Sequence, residues 1–269
     1  PSSSSAASDV YKRQLINDGD QKISGNEIFL QYEEEELKEI YIPERAQAQT
    51  FSSGIRETIN VIDGDSTMSQ EPLSFSDDMT GSILRGFFKD GELDSVRLEG
   101  MATTLYHIFE DSIYQGNNRA SGDTIVLKFG EDDLESIFIS GGSEGTYTPD
   151  SLGSDIDGKV VYQSDKIKYN MQDESTDLLG EANIDYTDMN LKAGFINVAW
   201  RSNLLKALPS SDKDSTITPF RPTMIEEGNE PMVGDTMIYN LDSQNGKVIR
   251  GKTKADDGYY HGKEIRNQN

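Results

Sequence analysis

Three stretches of the chain repeat one arrangement of apolar and polar positions, and they align when Gly25, Gly81 and Gly122 are superposed. Counted from each glycine, the third, fifth and seventh positions are Ile28, Leu30 and Tyr32, then Leu84, Gly86 and Phe88, then Ile125, Leu127 and Phe129. Alternation with a period of two predicts a strand with one buried face. A polar turn follows in each copy, and then a second alternating set: Leu37, Ile40 and Ile42; Leu93, Val96 and Leu98; Leu134, Ile137 and Ile139. The second and third copies also share a later glycine, Gly100 and Gly141, and a tyrosine, Tyr106 and Tyr147, so each unit reads as a hairpin followed by a third strand. Looser copies begin at Ser164, Ala193 and Gly234, with Ile167, Tyr169 and Met171, then Ile196, Val198 and Trp200, then Met237, Tyr239 and Leu241 on the apolar face. Lys128 and Lys168, one residue out of register, are expected to face solvent, because a slip of one residue turns an apolar set to water. Helical faces of ten or more residues are hard to find, and β-branched and aromatic residues crowd the short runs. The class is therefore all-β. Unequal intervals between copies fit variable antiparallel hairpins stacked along an axis better than a strict solenoid.

Residues 1–14 open with a Ser/Ala tract and resemble adapter-derived sequence; they are expected to be unstructured and are left out of the fold. Both ends are expected to be truncations. The remainder divides near Asp150 into a half with the three tight units, residues 15–150, and a half with the looser ones, residues 151–269, in a sheet that can continue across the boundary. Residues 148–157 and 208–222, rich in Gly, Ser, Asp and Pro, are expected to be surface loops. No run approaches the roughly 18 apolar residues of a membrane-spanning helix.

Composition narrows the partners. A net charge of −23 repels a phosphate backbone, which excludes nucleic acid as a partner. Without cysteine there is neither a disulfide framework nor a thiolate metal site. Gly141-Gly142-Ser143-Glu144-Gly145 matches the G-x-S-x-G pattern, yet the helix that a nucleophile elbow requires is missing and Ser143 aligns with Ala102 of the preceding copy. The stretch from Asp18 to Glu27 is similar to a calcium loop but out of register, with Gln21 at the obligatory glycine site, so it is expected to be a hairpin turn. His107 and His261 are too few for a zinc site, and Glu33 to Glu36 form a solvated turn. Trp200 belongs on the inward face of its strand. No catalytic group, cofactor or metal is expected, and the chain is not expected to be an enzyme.

Two later segments carry a family resemblance. Gly180-Glu181-Ala182-Asn183-Ile184-Asp185-Tyr186-Thr187-Asp188-Met189-Asn190-Leu191-Lys192-Ala193-Gly194-Phe195-Ile196-Asn197-Val198, and then Gly234-Asp235-Thr236-Met237-Ile238-Tyr239-Asn240-Leu241 with Gly246-Lys247-Val248 and Gly258-Tyr259-Tyr260-His261-Gly262, resemble the organic-solvent-tolerance family. That family comprises the periplasmic lipopolysaccharide-transport bridge protein and the N-terminal periplasmic domain of the outer-membrane lipopolysaccharide-assembly protein. Gly194 stands where the family usually has Asp, which places a bulge within residues 193–196.

The resemblance implies an open, curved β-jellyroll with two facing antiparallel sheets, in the periplasm and associated with the outer membrane. Its apolar interior would hold the acyl chains of lipopolysaccharide or a similar glycolipid and convey them passively. The trough would be lined by Ile28, Leu30, Leu84, Phe88, Ile125, Leu127, Ile167, Tyr169, Ile196, Val198, Trp200, Met237 and Tyr239. Other lipopolysaccharide-transport components would join by edge-strand pairing, at an N-terminal edge within residues 23–32 and at a C-terminal edge within residues 258–266, where an outer-membrane barrel would continue the chain. The rival class is a structural or adhesive β-repeat protein with a closed core.

Overall fold

The structure, a computed structural model, describes residues 7–12, 15–18, 21–62, 65–130, 134–210, 220–255 and 258–267. They form the all-β fold of antiparallel hairpins that the alternation predicts. The first ten strands are β1 (Ala7–Lys12), β2 (Leu15–Asp18), β3 (Gln21–Ser24), β4 (Glu27–Glu33), β5 (Glu36–Ile42), β6 (Ala46–Ile62), β7 (Asp65–Gly81), β8 (Ile83–Lys89), β9 (Glu92–Glu110) and β10 (Ile113–Phe129). The others are β11 (Leu134–Pro149), β12 (Val160–Asn170), β13 (Ser175–Tyr186), β14 (Met189–Ala199), β15 (Leu204–Leu208), β16 (Thr223–Glu226), β17 (Met232–Val233), β18 (Thr236–Asn240), β19 (Gly246–Ala255) and β20 (Gly258–Asn267). A single 3-10 turn, Trp200–Ser202, is the one helical element among the described residues. Two compact units are present, Pro1–Ile139 with Pro149–Ser154 and Ser140–Thr148 with Asp155–Asn269, so β11 contributes to both.

In the first unit the strand registers define two sheets. One contains β1, β4, β5, β8, residues 92–99 of β9 and residues 124–128 of β10; the other contains β2, β3, β6, β7 and the later part of β9 with the earlier part of β10. The chain crosses between them at a row of corners: Gly25 and Asn26, residues 43–45, Ser82, Gly100 with Met101, and Asp123. Backbone hydrogen bonds tie the row together, from Asn26 N–H to Glu44 C=O at 3.2 Å and from Ser82 N–H to Gly100 C=O at 3.0 Å. Gly100 and Met101 both take a positive φ, and the ladder shifts register there, as expected of a bulge that sharpens a strand's bend. The leading glycines Gly25 and Gly81 of the repeat lie at these corners.

The second unit repeats the construction. Residues 175–179 of β13 pair with residues 195–199 of β14, which pair with β15, then β18, then the start of β19. Beyond the corner, residues 182–186 pair with residues 189–193, followed by β16, β17 and the far part of β19. The corners are Ser164 with Asp165, Gly180 with Glu181, Gly194, Gly234 with Asp235, and Arg250. Gly180, Glu181 and Arg250 have positive φ. The bulge expected within residues 193–196 has its extra residue on the opposite strand: two residues of β13, Gly180 and Glu181, face the single Gly194.

The N-terminal edge differs from expectation. Ala7–Lys12, within the stretch left out of the fold, pair antiparallel with β4, from Ala7 opposite Tyr32 to Lys12 opposite Glu27. That pairing, with β2 on β3, occupies the N-terminal edge expected to accept a partner. An unpaired strand edge exposes a row of N–H and C=O groups, which is the physical reason for a neighbouring segment to cover it. Residues 1–6 and 13–14 lie outside the described residues. Strand β20 pairs with β19, and no other described strand lies beside it.

Candidate functional site

The inner face of the first unit is built from cross-strand rows parallel to the corner. Nearest the corner, Ile42 stands opposite Leu84, Leu84 opposite Leu98, and Leu98 opposite Ile125. All four are sealed, as is Ile28. The next row outward is Leu30, Ile40, Gly86, Val96 and Leu127. Leu127 and Val96 are buried there, but Leu30 is only half-buried. Outermost come Tyr32 opposite Leu37 and Phe88 opposite Leu93, with Phe129, and all of them are half-buried. Burial therefore falls step by step from the corner toward the hairpin tips along β4, β5, β8, β9 and β10. The second sheet shows the same trend, from Ala102 and Thr104, both buried, to Tyr106 and Ile108, both half-buried. Two sheets sharing strands that bend at a corner, packed at the vertex and wetter at the rim, make a trough.

The second unit is closed. Ile167, Tyr169, Ile196, Val198, Met237 and Tyr239, expected to line the trough, are each exposed by 4% or less. Hydrogen bonds among the described residues bind its interior. Tyr162 and Tyr169 join hydroxyl to hydroxyl at 2.7 Å, Trp200 donates Nε1–H to Thr176 Oγ1 at 2.8 Å, and Tyr186 donates to the Leu241 carbonyl at 3.0 Å. Tyr186 and Leu241 lie far from the corners on opposite sheets, so their bond closes the mouth. Burial also pushes the Tyr239 hydroxyl up to about 12, since an ionised phenolate has no place in an apolar interior. Trp200 is half-buried, with its ring centroid 5.4 Å from that of Tyr147.

Of the thirteen expected trough residues, the structure thus brings Ile28, Leu30, Leu84, Phe88, Ile125 and Leu127 onto one inner face of the first unit. Leu30 and Phe88 are half-buried, whereas the other four are buried. Lys128 and Lys168 face solvent, as the register requires. The sequence reading missed the long hairpin of β6 and β7 and, with it, the aromatic cluster beside the trough. Phe75 stacks on Phe109 at 4.7 Å, His107 lies 4.7 Å from Phe75, and Tyr114 lies 5.5 Å from Phe109. Asp77 Oδ1 accepts both the backbone N–H of His107 and a contact from His107 Nδ1, each at 2.8 Å. Burial holds the Asp77 carboxyl above the usual carboxylate range. No signal in the polar, Ser-rich sequence of β6 and β7 announces this packing.

Other features of the sequence resolve simply. Ser143 of the G-x-S-x-G pattern is buried in β11 after two positive-φ glycines and donates to the Asp165 carbonyl at 3.3 Å. Asp18 stands opposite Gln21 in the β2–β3 pairing, and residues 19–20 of the calcium-loop-like stretch lie outside the described residues. Among the described residues no three His, Asp or Glu side chains converge in a manner that could hold a metal. Among the described residues no helix is long and apolar enough to cross a membrane. A groove of about 540 Å³ lies at the corner of the first unit against Glu44, Arg45, Ser82 and Met101, and holds none of the expected trough residues.

No family model matches the chain, and no curated protein matches it. Among solved structures it is similar to LptH of Pseudomonas aeruginosa, described as the LptA-homologous periplasmic component of the lipopolysaccharide transport device. The likeness covers 56% of this chain and 94% of that one, at 13% identity and a TM-score of 0.44.

Proposed function

We propose that the chain is a periplasmic carrier that holds the acyl chains of lipopolysaccharide or a similar glycolipid in the trough of its first unit. The observation that supports this is the graded burial of the inward rows, sealed at Leu84 and Leu98 and half-open at Leu30, Tyr32 and Phe88. Apolar surface removed from water contributes roughly 25 cal/mol per Å², so a multi-chain lipid is retained by area alone and released by sliding, with no catalytic group. The second unit, with its interior closed by Tyr186, serves as a scaffold. Its edge strand β20 is the surface for pairing with other lipopolysaccharide-transport components or with an outer-membrane barrel. Exposed carboxylates at the hairpin tips, Glu33 to Glu36 with Asp90 and Glu92, repel an anionic head group, and divalent cations between the two relieve that repulsion.

A photoreactive side chain at Leu30 or Phe88 is expected to crosslink to lipopolysaccharide, whereas one at Phe87, the outward neighbour, is not. Equal labelling at Phe87 and Phe88 would reject the trough and favour the second reading, a closed β-repeat scaffold, which the packed second unit supports.

A further inference from the structure

The hairpin of β6 and β7 outruns its neighbours in the first unit. Strand β3 accompanies β6 over residues 47–50, β10 meets it at Ile55, and β9 accompanies β7 over residues 78–80. Past those points residues 57–62 and 65–71 pair only with each other among the described residues. A two-stranded ribbon on its own is marginal in water. One of its faces is already committed to the first unit. A Cβ on Gly54 would lie 2.2 Å from the Phe109 ring, and Arg56 Nη2 reaches the buried Asp150 Oδ1 at 2.6 Å. Farther out on that face Ser69 bonds to Thr58 at 2.9 Å and to Asn60 at 2.7 Å. Alternation then sends Phe51, Ile55, Ile59, Met68 and Pro72 to the opposite face. Phe51, Ile59 and Met68 are exposed by 43%, 51% and 66%, and Ile59 stands directly opposite Met68. The apolar residues of the ribbon thus face water while its hydroxyls and amides face the other way.

Charge and edge chemistry indicate what covers this face. Between Phe51 and Ile59 on β6 and between Met68 and Ser76 on β7, Glu57 is the one charged residue of the face, and it accepts a hydrogen bond from Gln70 at 3.5 Å. In a chain of net charge −23 this is a surface on which two copies approach with little repulsion, whereas a charged partner finds no complementary group there. An added strand is disfavoured as well. Pro72 sits in the middle of β7, where proline is tolerated with its nitrogen on the open edge, and so deters pairing along that edge. We propose that this face is the docking surface for a second copy of the chain, the two ribbons packing face to face about a two-fold axis. The pair of Ile59 and Met68 is self-complementary under that rotation, so each meets the other across the interface. The face is about nine residues long and two strands wide, roughly 30 Å by 10 Å. That footprint is well under the roughly 800 Å² per partner of a standard interface, so the association is weak and reversible. The inference is independent of the lipid reading of the trough.

Sedimentation equilibrium of the full chain at physiological ionic strength, from micromolar to submillimolar concentration, tests it. The weight-average mass of the wild type should rise from that of one chain toward that of two. Ile59→Thr combined with Met68→Thr keeps strand propensity and should weaken dimerisation by about tenfold or more, as two apolar side chains per copy return to water. Ile59→Lys, a single change at an exposed position, gives a second reading and should weaken it as much. Phe87→Thr, which removes an exposed apolar side chain from another sheet face, should leave the dimer unchanged. Circular dichroism of each variant verifies that it is folded. A wild type that stays monomeric throughout, or Ile59 and Met68 variants that dimerise as the wild type does, would overturn the proposal. So would a monomeric wild type that floats with phosphatidylcholine vesicles and loses that binding in Ile59→Lys, since the face would then belong to a membrane.

Discussion

Tyr162 and Tyr169 belong to the same strand yet meet hydroxyl to hydroxyl at 2.7 Å, because the corner at Ser164 and Asp165 folds β12 back on itself between them. Their bond ties the two sheets of the second unit a few residues from the vertex. Each ring is nearly sealed, so the pair holds in an environment where water cannot compete. Tyr162→Phe is expected to reduce stability by about 1 kcal/mol, the usual net value of one buried hydrogen bond. In a double-mutant cycle with Tyr169→Phe, read by denaturant unfolding, the two losses should fall short of additivity by about 0.5 kcal/mol or more. Strict additivity would mean that the hydroxyls act independently.

Glycines at the corners should differ sharply in what they tolerate. A Cβ on Gly194 would lie 2.1 Å from the Ser210 backbone nitrogen, whereas one on Gly142 meets nothing within 4 Å but sits at a φ of +63°. Gly194→Ala is therefore expected to destabilise by about 3 kcal/mol through forced backbone displacement. Gly142→Ala should lose only about 1 kcal/mol, the penalty of a side chain in the left-handed region. Melting temperatures of the two variants provide the comparison, and a reversal of their order would contradict the placement of Gly194.

The turn between β4 and β5 is open to improvement. Glu34 and Glu35 hold φ values of 51° and 69°, the pattern of a type I′ turn, for which Asn-Gly is the favoured pair. The equivalent turn after β8 uses Asp90 and Gly91, at 53° and 86°. Replacing Glu34 and Glu35 with Asn and Gly should raise stability by about 1 kcal/mol, by removing backbone strain and relieving repulsion among four adjacent carboxylates. Thermal unfolding checks this.

Asp77 gives the stability a definite dependence on pH. Burial raises its carboxyl pKa, so the folded state holds a proton that the unfolded chain releases first. Stability from this group is consequently greatest below the usual carboxylate range and declines as pH rises through its raised value. Asp77→Asn keeps an oxygen for the His107 backbone N–H and removes the charge. It should be more stable than the wild type near neutral pH, with the difference shrinking in acid. Chemical denaturation across the acidic range tests this, and a difference that grows toward low pH would reverse the sign.

The repeat was legible in the sequence because Ile28, Leu84 and Ile125 occupy the same place relative to their glycines and all are sealed. The corners were legible only as glycines. That Gly25 and Gly81 are the points where the chain changes sheets depends on partners far along the chain. The β6–β7 hairpin was not legible: cross-strand pairs such as Ser53 with Ser74 and Thr58 with Ser69 leave little apolar alternation to detect. Nor could alternation separate the half-open row of Phe88 from the sealed row of Val198, since both are apolar positions in register. What distinguishes them is closure at the rim by Tyr186 and Leu241, a contact spanning 55 residues.

The row of corners in the first unit also explains how one chain accommodates hairpins of very different reach. Strand pairs such as β4–β5 and the much longer β6–β7 start from the same vertex, and their ends are free to differ because the register is set where they leave it. In that sense the vertex works as a binding along a spine, from which leaves of unequal length project. Lengthening or shortening a leaf alters the depth of the space between the covers without disturbing the stitching, so the capacity of such a trough can change through its tips alone.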